Sequence, residues 1–211
     1  MRPATATTGL GFWMNLPEGW WPLELSRGRI PEQVRRLLDE RAAADPQVAA
    51  HRGQVEQQLR APLRSPRAKE LTFGAILATF TGTGLPIAAS LALTRHRSPD
   101  GADAARILAE LGHQSGRRNS LFELPFVGTV VRSDYLDRTP LESSGGGVGK
   151  PGTPPLVEVA VFQYYIPMPG GAEIMLATGA SPTLPMRAAF GELFDAIIST
   201  FQFVDAPSDE I

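Results

Sequence analysis

The sequence predicts a single α+β domain in which an antiparallel β-sheet is flanked by helices. The chain has 211 residues, of which 43% are hydrophobic, and this is enough to form one core. Its β-like segments occur in runs joined by short turns, an order that favours antiparallel pairing over repeated βαβ units. The 21 glycines and 19 prolines are typical of a protein with many turns.

Two short strands and a polar helical region are predicted first. Aromatic residues on both sides of Pro17-Glu-Gly19 predict a strand, a tight turn and a second strand between residues 11 and 25. Pro31 is typical of the first turn of a helix, where its missing N–H has no cost. A second helix is predicted over 47–63. Together the two form a polar helical insertion near residues 31–70.

An uncharged stretch of 24 residues, 71–94, comes next and is long enough to span a bilayer. Its centre, however, reads Thr81-Gly-Thr-Gly-Leu-Pro86, which is a turn signal. We therefore predict adjacent strands over 71–80 and 86–95, with no membrane insertion.

A short helix and two more strands are expected in the following part of the chain. The helix is predicted over 102–111, since its apolar residues recur at helical spacing and Gly112 is typical of a helix end. β-like segments follow at 121–126 and 128–135. Residues 139–155 are rich in Gly, Pro and Ser and are predicted to form a flexible loop.

The C-terminal part predicts a β-hairpin and a closing helix. Residues 156–166 have the clearest alternating pattern of the chain, and a Pro/Gly turn leads from them into a strand over 172–180. Apolar residues at intervals of three and four predict a helix over 184–203. The predicted domain spans 1–205, and an acidic tail, 206–211, follows it.

The composition excludes several kinds of chemistry. The chain has no cysteine, which excludes disulfides, iron–sulfur clusters, cysteine zinc sites and a thiol nucleophile. The three histidines, His51, His96 and His113, have no metal-binding spacing. Ser144-Gly-Gly-Gly-Val-Gly-Lys-Pro151 resembles a phosphate-binding P-loop, but Ser replaces its first Gly and Pro replaces its Ser/Thr. We expect neither a cofactor nor a metal.

Charge is distributed unevenly along the chain. Residues 27–70 contain ten basic and six acidic residues, whereas residues 151–211 contain seven acidic residues and a single basic one, Arg187. The basic segment lacks interleaved aromatic residues and the pI is about 5.9, so nucleic-acid binding is not expected. Residues 1–11 lack the apolar run of a secretory signal, and a cytoplasmic location is expected.

Two adjacent aromatic pairs are candidate binding residues. The pairs are Trp20 with Trp21 and Tyr164 with Tyr165. Neighbouring residues of a strand point to opposite faces of the sheet, so one member of each pair is a candidate for exposure to solvent. Exposed aromatic side chains often contact partners, and core packing is the alternative.

A polar cluster provides the remaining candidates. The segment Arg132-Ser-Asp134-Tyr-Leu-Asp137-Arg138 has two Arg and two Asp within seven residues at the predicted end of a strand. Arg132 and Asp134 are therefore candidates for polar recognition, and surface ion pairs are the alternative.

Both ends of the sequence resemble small actinobacterial proteins of the Mog1/PsbP/DcrB-like group. The resembling segments are Phe12-Trp-Met-Asn-Leu-Pro-Glu-Gly-Trp20, the strand–hairpin–strand run from Val157 to Ser181, and the closing helix. The helical insertion and the Gly-rich loop depart from the pattern. The resemblance implies an antiparallel sheet flanked by helices and a role as adaptor, assembly factor or secretion-associated chaperone. It transfers no catalytic residue.

We therefore predict a non-enzymatic protein-binding module whose partner is another protein. This hypothesis predicts an exposed apolar patch beside the aromatic pairs. One alternative is a small-ligand carrier that uses a cleft between sheet and helices. Another is an enzyme with a site around Arg132, Asp134 and Tyr165, which predicts a pocket with convergent polar groups.

Overall fold

A computed structural model describes residues 10–25, 30–44, 71–81, 86–98, 103–112, 114–140 and 156–205, together with residues 46, 49 and 56. In chain order the elements are β1 (Leu10–Trp13), β2 (Trp20–Pro22), α1 (Ile30–Ala44), β3 (Leu71–Phe80), β4 (Pro86–Arg97), α2 (Ala104–Leu111), β5 (Arg118–Leu124), β6 (Gly128–Pro140), β7 (Leu156–Pro167), β8 (Glu173–Ser181), α3 (Arg187–Ser199) and β9 (Gln202–Asp205). A 3₁₀ turn, Leu184–Met186, leads into α3. The predicted α+β class is confirmed.

Seven strands form one sheet in the order β2-β3-β4-β8-β7-β6-β5. All of its pairings are antiparallel. The uncharged stretch 71–94 contributes β3 and most of β4, which pair with each other and thereby confirm the two predicted strands. Residues 82–85 of the predicted turn lie outside the described residues. No helix in the described part of the chain is long and apolar enough to cross a membrane.

Helix α3 covers one face of the sheet and forms the main core with it. Its apolar side chains Phe190, Phe194 and Ile198 are buried there, as the spacing of three and four predicts. Phe194 packs against Phe162 of β7, with ring centroids 5.5 Å apart. It also lies directly over Gly179 of β8, where a Cβ would come within 2.6 Å of the ring. The close approach of helix and sheet therefore requires glycine at this position.

Helices α1 and α2 pack on the opposite face. In β3, Ala75 belongs to the α3 core while its neighbour Ile76 contacts Leu37 and Leu38 of α1, because side chains alternate across a strand. Helix α2 begins at the N-cap Asp103 and buries its apolar side against Val131 of β6. The first helix of the predicted polar insertion thus packs on the sheet.

The C-terminal end differs from the prediction. The helix expected over 184–203 ends at Ser199, and 202–205 form β9, which pairs with β1. Phe201 follows Ile197 at a helical spacing of four, but Phe201 and Phe203 also stand two residues apart, as in a strand, and their rings meet edge to face at 5.1 Å. The Thr200 hydroxyl stabilises the end of α3 by donating to the Ile197 carbonyl and accepting from the Asn15 N–H.

Three other predictions concern the rest of the chain. The two N-terminal strands form as predicted, but β1 pairs with β9 and β2 with β3 rather than with each other. The predicted second helix, 47–63, lies outside the described residues except at Ala49 and Glu56. The Gly-rich loop from residue 141 onward, with its P-loop-like segment, and the acidic tail 206–211 also lie outside them.

Candidate functional site

An open groove lies between the first half of α3 and strands β5, β6 and β7. Its volume is about 850 Å³. Arg118 of β5 faces Asp134 of β6 directly across the ladder, and Ser120 faces Arg132, so the polar residues of the strands are cross-strand neighbours on the face that α3 covers. The helix contributes three further polar lining residues, Arg187, Glu192 and Asp195.

Asp134 is the centre of the ion pairs in this groove. Its side chain is only 1% exposed. Oδ2 accepts hydrogen bonds from Arg118 Nε at 3.0 Å and from Arg132 Nη1 at 2.8 Å, and Oδ1 accepts one from Arg187 Nη2 at 2.9 Å. A buried carboxylate is costly unless it is paired and hydrogen-bonded, and these guanidinium groups provide the compensation. One aspartate thus connects β5, β6 and α3.

Asp195 holds a second set of contacts at the edge of the groove. Its Oδ1 accepts from Arg132 Nε at 2.8 Å and from the Tyr164 hydroxyl at 2.5 Å. Burial raises the pKa of Tyr164, and the hydrogen bond to Asp195 raises it further. Burial alone lowers the pKa of Arg132, but the charge of Asp195 and the contact with Tyr164 outweigh it, and the net shift is upward. Tyr164 is therefore protonated and Arg132 charged at neutral pH.

The groove arginines differ in their exposure to solvent. Arg132 is mostly buried and is bound by both Asp134 and Asp195, whereas the side chain of Arg118 is 77% exposed and that of Arg187 38% exposed. A guanidinium has five N–H donors in a planar fork, which suits carboxylate and phosphate groups. Arg118 and Arg187 can therefore bind an anionic group while they remain attached to Asp134.

The lining is mixed in polarity and balanced in charge, since three arginines and three acidic residues have their charged groups in it. Arg117 also borders the groove, but its guanidinium lies on the opposite face of the sheet, 3.9 Å from the centre of the Tyr135 ring. Phe122 and Phe162 add apolar surface to it. Gly191 on α3 gives space to Arg132, since a Cβ there would lie 3.3 Å from Nη2 of that residue. The groove thus combines anion-binding groups with apolar contact area.

The predicted polar cluster and the second aromatic pair divide between the two faces of the sheet. Arg132 and Asp134 both lie in the groove, and Tyr164, fully buried beneath it, reaches it through Asp195. Tyr165 lies on the other face, where its hydroxyl donates to Gln163 Oε1 at 3.0 Å. The alternative catalytic set of Arg132, Asp134 and Tyr165 is therefore not brought together.

The tryptophan pair lies away from the groove. Trp20 is buried and meets Phe194 edge to face at 6.0 Å, so it belongs to the α3 core. Trp21 is half-buried against the α1 core. Large exposed hydrophobic side chains of the described residues occur elsewhere, at Trp13, Leu121, Phe126 and Leu136.

Sequence reasoning missed Arg118, Arg187 and Asp195. Arg187 had a signal, since it is the lone basic residue of the acidic segment 151–211. Arg118 and Asp195 had no such signal. Arg118 contacts Asp134, 16 residues away, and Asp195 contacts Arg132, 63 residues away.

A metal site is not supported by the groove. Its buried carboxylate, Asp134, is already surrounded by arginines, which repel a cation. Across the ranges that the structure describes, no three His, Asp or Glu side chains are grouped in a way that could hold a metal ion.

No protein-family model and no curated protein matches this sequence. A crystal structure of LpqN, described as involved in cell envelope biogenesis of Mycobacterium tuberculosis, is similar over 96% of this chain and 90% of LpqN. The sequence identity is 14% and the TM-score 0.47. A likeness at this level assigns neither a family nor a function.

Proposed function

We propose that this chain is a non-enzymatic binding protein whose groove holds an anionic group of its partner. The observation that carries the proposal is the position of Arg118 and Arg187. Both guanidinium groups are hydrogen-bonded to the buried carboxylate of Asp134, and both remain accessible to solvent. Asp134 uses only part of their N–H donors.

The ion pairs favour anion binding because they orient the donors in advance. A long, free arginine side chain loses rotamer entropy when it binds, and a side chain already held by Asp134 loses less. Charge-assisted hydrogen bonds to carboxylate or phosphate are about twice as strong as neutral ones. The apolar rings of Phe122 and Phe162 favour a partner that presents apolar surface beside its anionic group.

The lining supports binding rather than catalysis. Asp134 and Asp195 accept hydrogen bonds from arginine and tyrosine donors, which leaves them poorly suited to act as general bases. The described lining contains no histidine, and its hydroxyl residue, Ser120, faces Arg132 across the ladder rather than a base.

We favour a protein as the partner that carries the anionic group. This agrees with the adaptor, assembly or chaperone-like role that the family resemblance implies. A small acidic ligand is the second candidate. The groove volume of about 850 Å³ favours it, since it falls within the range of small-molecule sites.

The proposal is tested by NMR titration of the full chain with an acetylated triglutamate amide and with the matching trilysine amide. We expect shifts at Arg118 and Arg187 with the acidic peptide alone, weakening with added salt. Arg118→Gln and Arg187→Gln should each weaken binding about tenfold, the loss of one charge-assisted contact. Arg138→Gln, an exposed arginine paired with Glu158 outside the groove, is the matched control and should bind normally.

Equal binding of both peptides, or unchanged binding by the Arg118→Gln and Arg187→Gln variants, would overturn the proposal. Glutarate and inorganic phosphate form a further arm of the experiment. Affinities equal to that of the peptide would identify a small-ligand carrier, whereas much weaker binding would support a protein partner.

A further inference from the structure

Strand β5 is an end of the seven-stranded sheet, and no other strand of the described residues lies on its outer side. It is seven residues long and therefore offers a row of backbone N–H and C=O groups for pairing. The opposite end, β2, has only three residues and finishes at Pro22, which lacks an N–H. The two edges thus differ, and β5 is the one that can accept another strand.

The two faces of β5 differ in chemistry. Arg118, Ser120 and Phe122 point toward the arginine-rich groove. Leu121 points to the other face, where its side chain is 54% exposed, and Phe126 in the following turn is 64% exposed. These are the most exposed large hydrophobic side chains in the part of the chain that the structure describes. A cationic face and an apolar face therefore meet at the same free edge.

We propose that the partner is an extended acidic segment of another protein that adds to the sheet beside β5. This inference rests on the proposed function, because it names the partner of the same groove. Side chains of the added strand alternate between the faces. Its acidic residues lie on the groove side against Arg118, and its apolar residues lie on the other side against Leu121. Backbone hydrogen bonds supply affinity, and the alternating pattern supplies specificity.

Charge complementarity selects the occupant. Arg118 donates to Asp134 of the neighbouring strand β6, yet its side chain is 77% exposed. Because β5 is the edge strand, this exposed guanidinium is within reach of a strand added beside it. A basic segment is disfavoured there, since Arg118 is the charged residue that β5 presents on the groove side and is exposed, whereas its partner Asp134 is buried. On the opposite face, Glu123 is hydrogen-bonded to Thr129, so the apolar contact is centred on Leu121.

The test uses the full chain and an acetylated heptapeptide of alternating glutamate and valine. Two further peptides carry N-methyl groups on alternate backbone nitrogens. One peptide is methylated at its odd-numbered residues and the other at its even-numbered residues. N-methylation removes the N–H donor. The peptide whose methylated nitrogens face β5 should therefore lose at least about tenfold in affinity, while the peptide whose methylated nitrogens point away from β5 should bind normally. Alternate β5 amides should become protected from hydrogen exchange when the unmodified peptide binds.

Variants of the chain test the two faces separately. Leu121→Gln should weaken peptide binding about threefold to tenfold, since it removes apolar contact area. Leu136→Gln, an exposed leucine on the neighbouring strand β6, should leave binding unchanged. Arg118→Gln tests the groove itself.

The outcomes separate this inference from the proposed function. Binding that depends on Arg118 but tolerates N-methylation in both peptides overturns strand addition and leaves the anion-binding groove intact. Binding of neither the heptapeptide nor triglutamate overturns both. Self-association of the peptide-free chain that Leu121→Gln abolishes would show that a second copy occupies β5, and would also overturn the inference.

Discussion

The hydroxyl of Tyr164 lies 2.5 Å from Oδ1 of Asp195 and joins an interior strand of the sheet to α3. Tyr164 is completely buried on β7, and Asp195 stands on the helix at the edge of the groove. The same carboxylate oxygen accepts from Arg132, which also bonds to Asp134. A single oxygen atom thus connects the core to the ion pairs that position the groove.

Replacing Tyr164 by Phe removes the hydroxyl and keeps the ring. Asp195 retains its bond to Arg132, so we expect the free energy of unfolding to fall by about 1.5–3 kcal/mol, the range for a hydrogen bond to a charged group. Tyr165→Phe is the matched control, because its half-buried hydroxyl bonds to the neutral side chain of Gln163. Urea denaturation measures both variants. An equal loss in the two would contradict a special role for the Tyr164–Asp195 contact.

The pH dependence of stability provides a second prediction for Tyr164. Burial and Asp195 raise the pKa of its hydroxyl above the usual value of about 10. Above this pH the unfolded chain releases the proton while the folded chain retains it, so the unfolded state binds fewer protons and stability falls as the pH rises. The contribution is complete below about pH 10. Unfolding free energies measured across this region should decline less steeply for Tyr164→Phe; parallel curves would count against the raised pKa.

The strands were predictable because alternation is a local signal. In β7, Val159 and Val161 lie on one face while Phe162 and Tyr164 lie on the other, as the pattern requires. The end of α3 was not predictable in this way. Its continuation as β9 depends on pairing Asp205 with Leu10, at the other end of the chain, and nothing near Phe201 indicates that partner.

In the candidate site, too, some residues could be predicted from local spacing and others could not. Arg132 and Asp134 stand two residues apart on β6, so their shared face follows from strand geometry, and the sequence identified them. The exposed arginines come from β5 and α3 and reach Asp134 only through tertiary structure. The groove is therefore a product of sheet register and helix placement, which composition and spacing do not encode.

Replacing Asp134 by Asn should destabilise the fold strongly. The amide keeps the shape of the side chain but leaves Arg118, Arg132 and Arg187 without their shared counter-charge. Removing one member of a buried ion pair costs about 3–5 kcal/mol, and we expect the lower end, since Arg118 and Arg187 are partly solvated.

Glu192→Gln is the control for this variant. Glu192 is an exposed acidic residue of α3 in the same groove, and its loss should change the unfolding free energy by no more than about 0.5 kcal/mol. Urea denaturation at low and high salt measures both, and salt should recover part of the Asp134→Asn loss by screening the arginines. Similar, small losses in the two variants would show that Asp134 is not the organising charge.

Replacing Gly179 by Ala should weaken the packing of α3 on the sheet. The new Cβ would lie 2.6 Å from the Phe194 ring, which is itself fully buried and cannot move without displacing its neighbours. We expect a loss of about 1–3 kcal/mol, as for other overpacked cores. In a Phe194→Leu background the same substitution should cost less, because the smaller side chain leaves space for the methyl group. A double-mutant cycle by urea denaturation measures this coupling. Additive losses would contradict a clash between the new methyl group and the Phe194 ring, since only a direct contact makes the two substitutions interdependent.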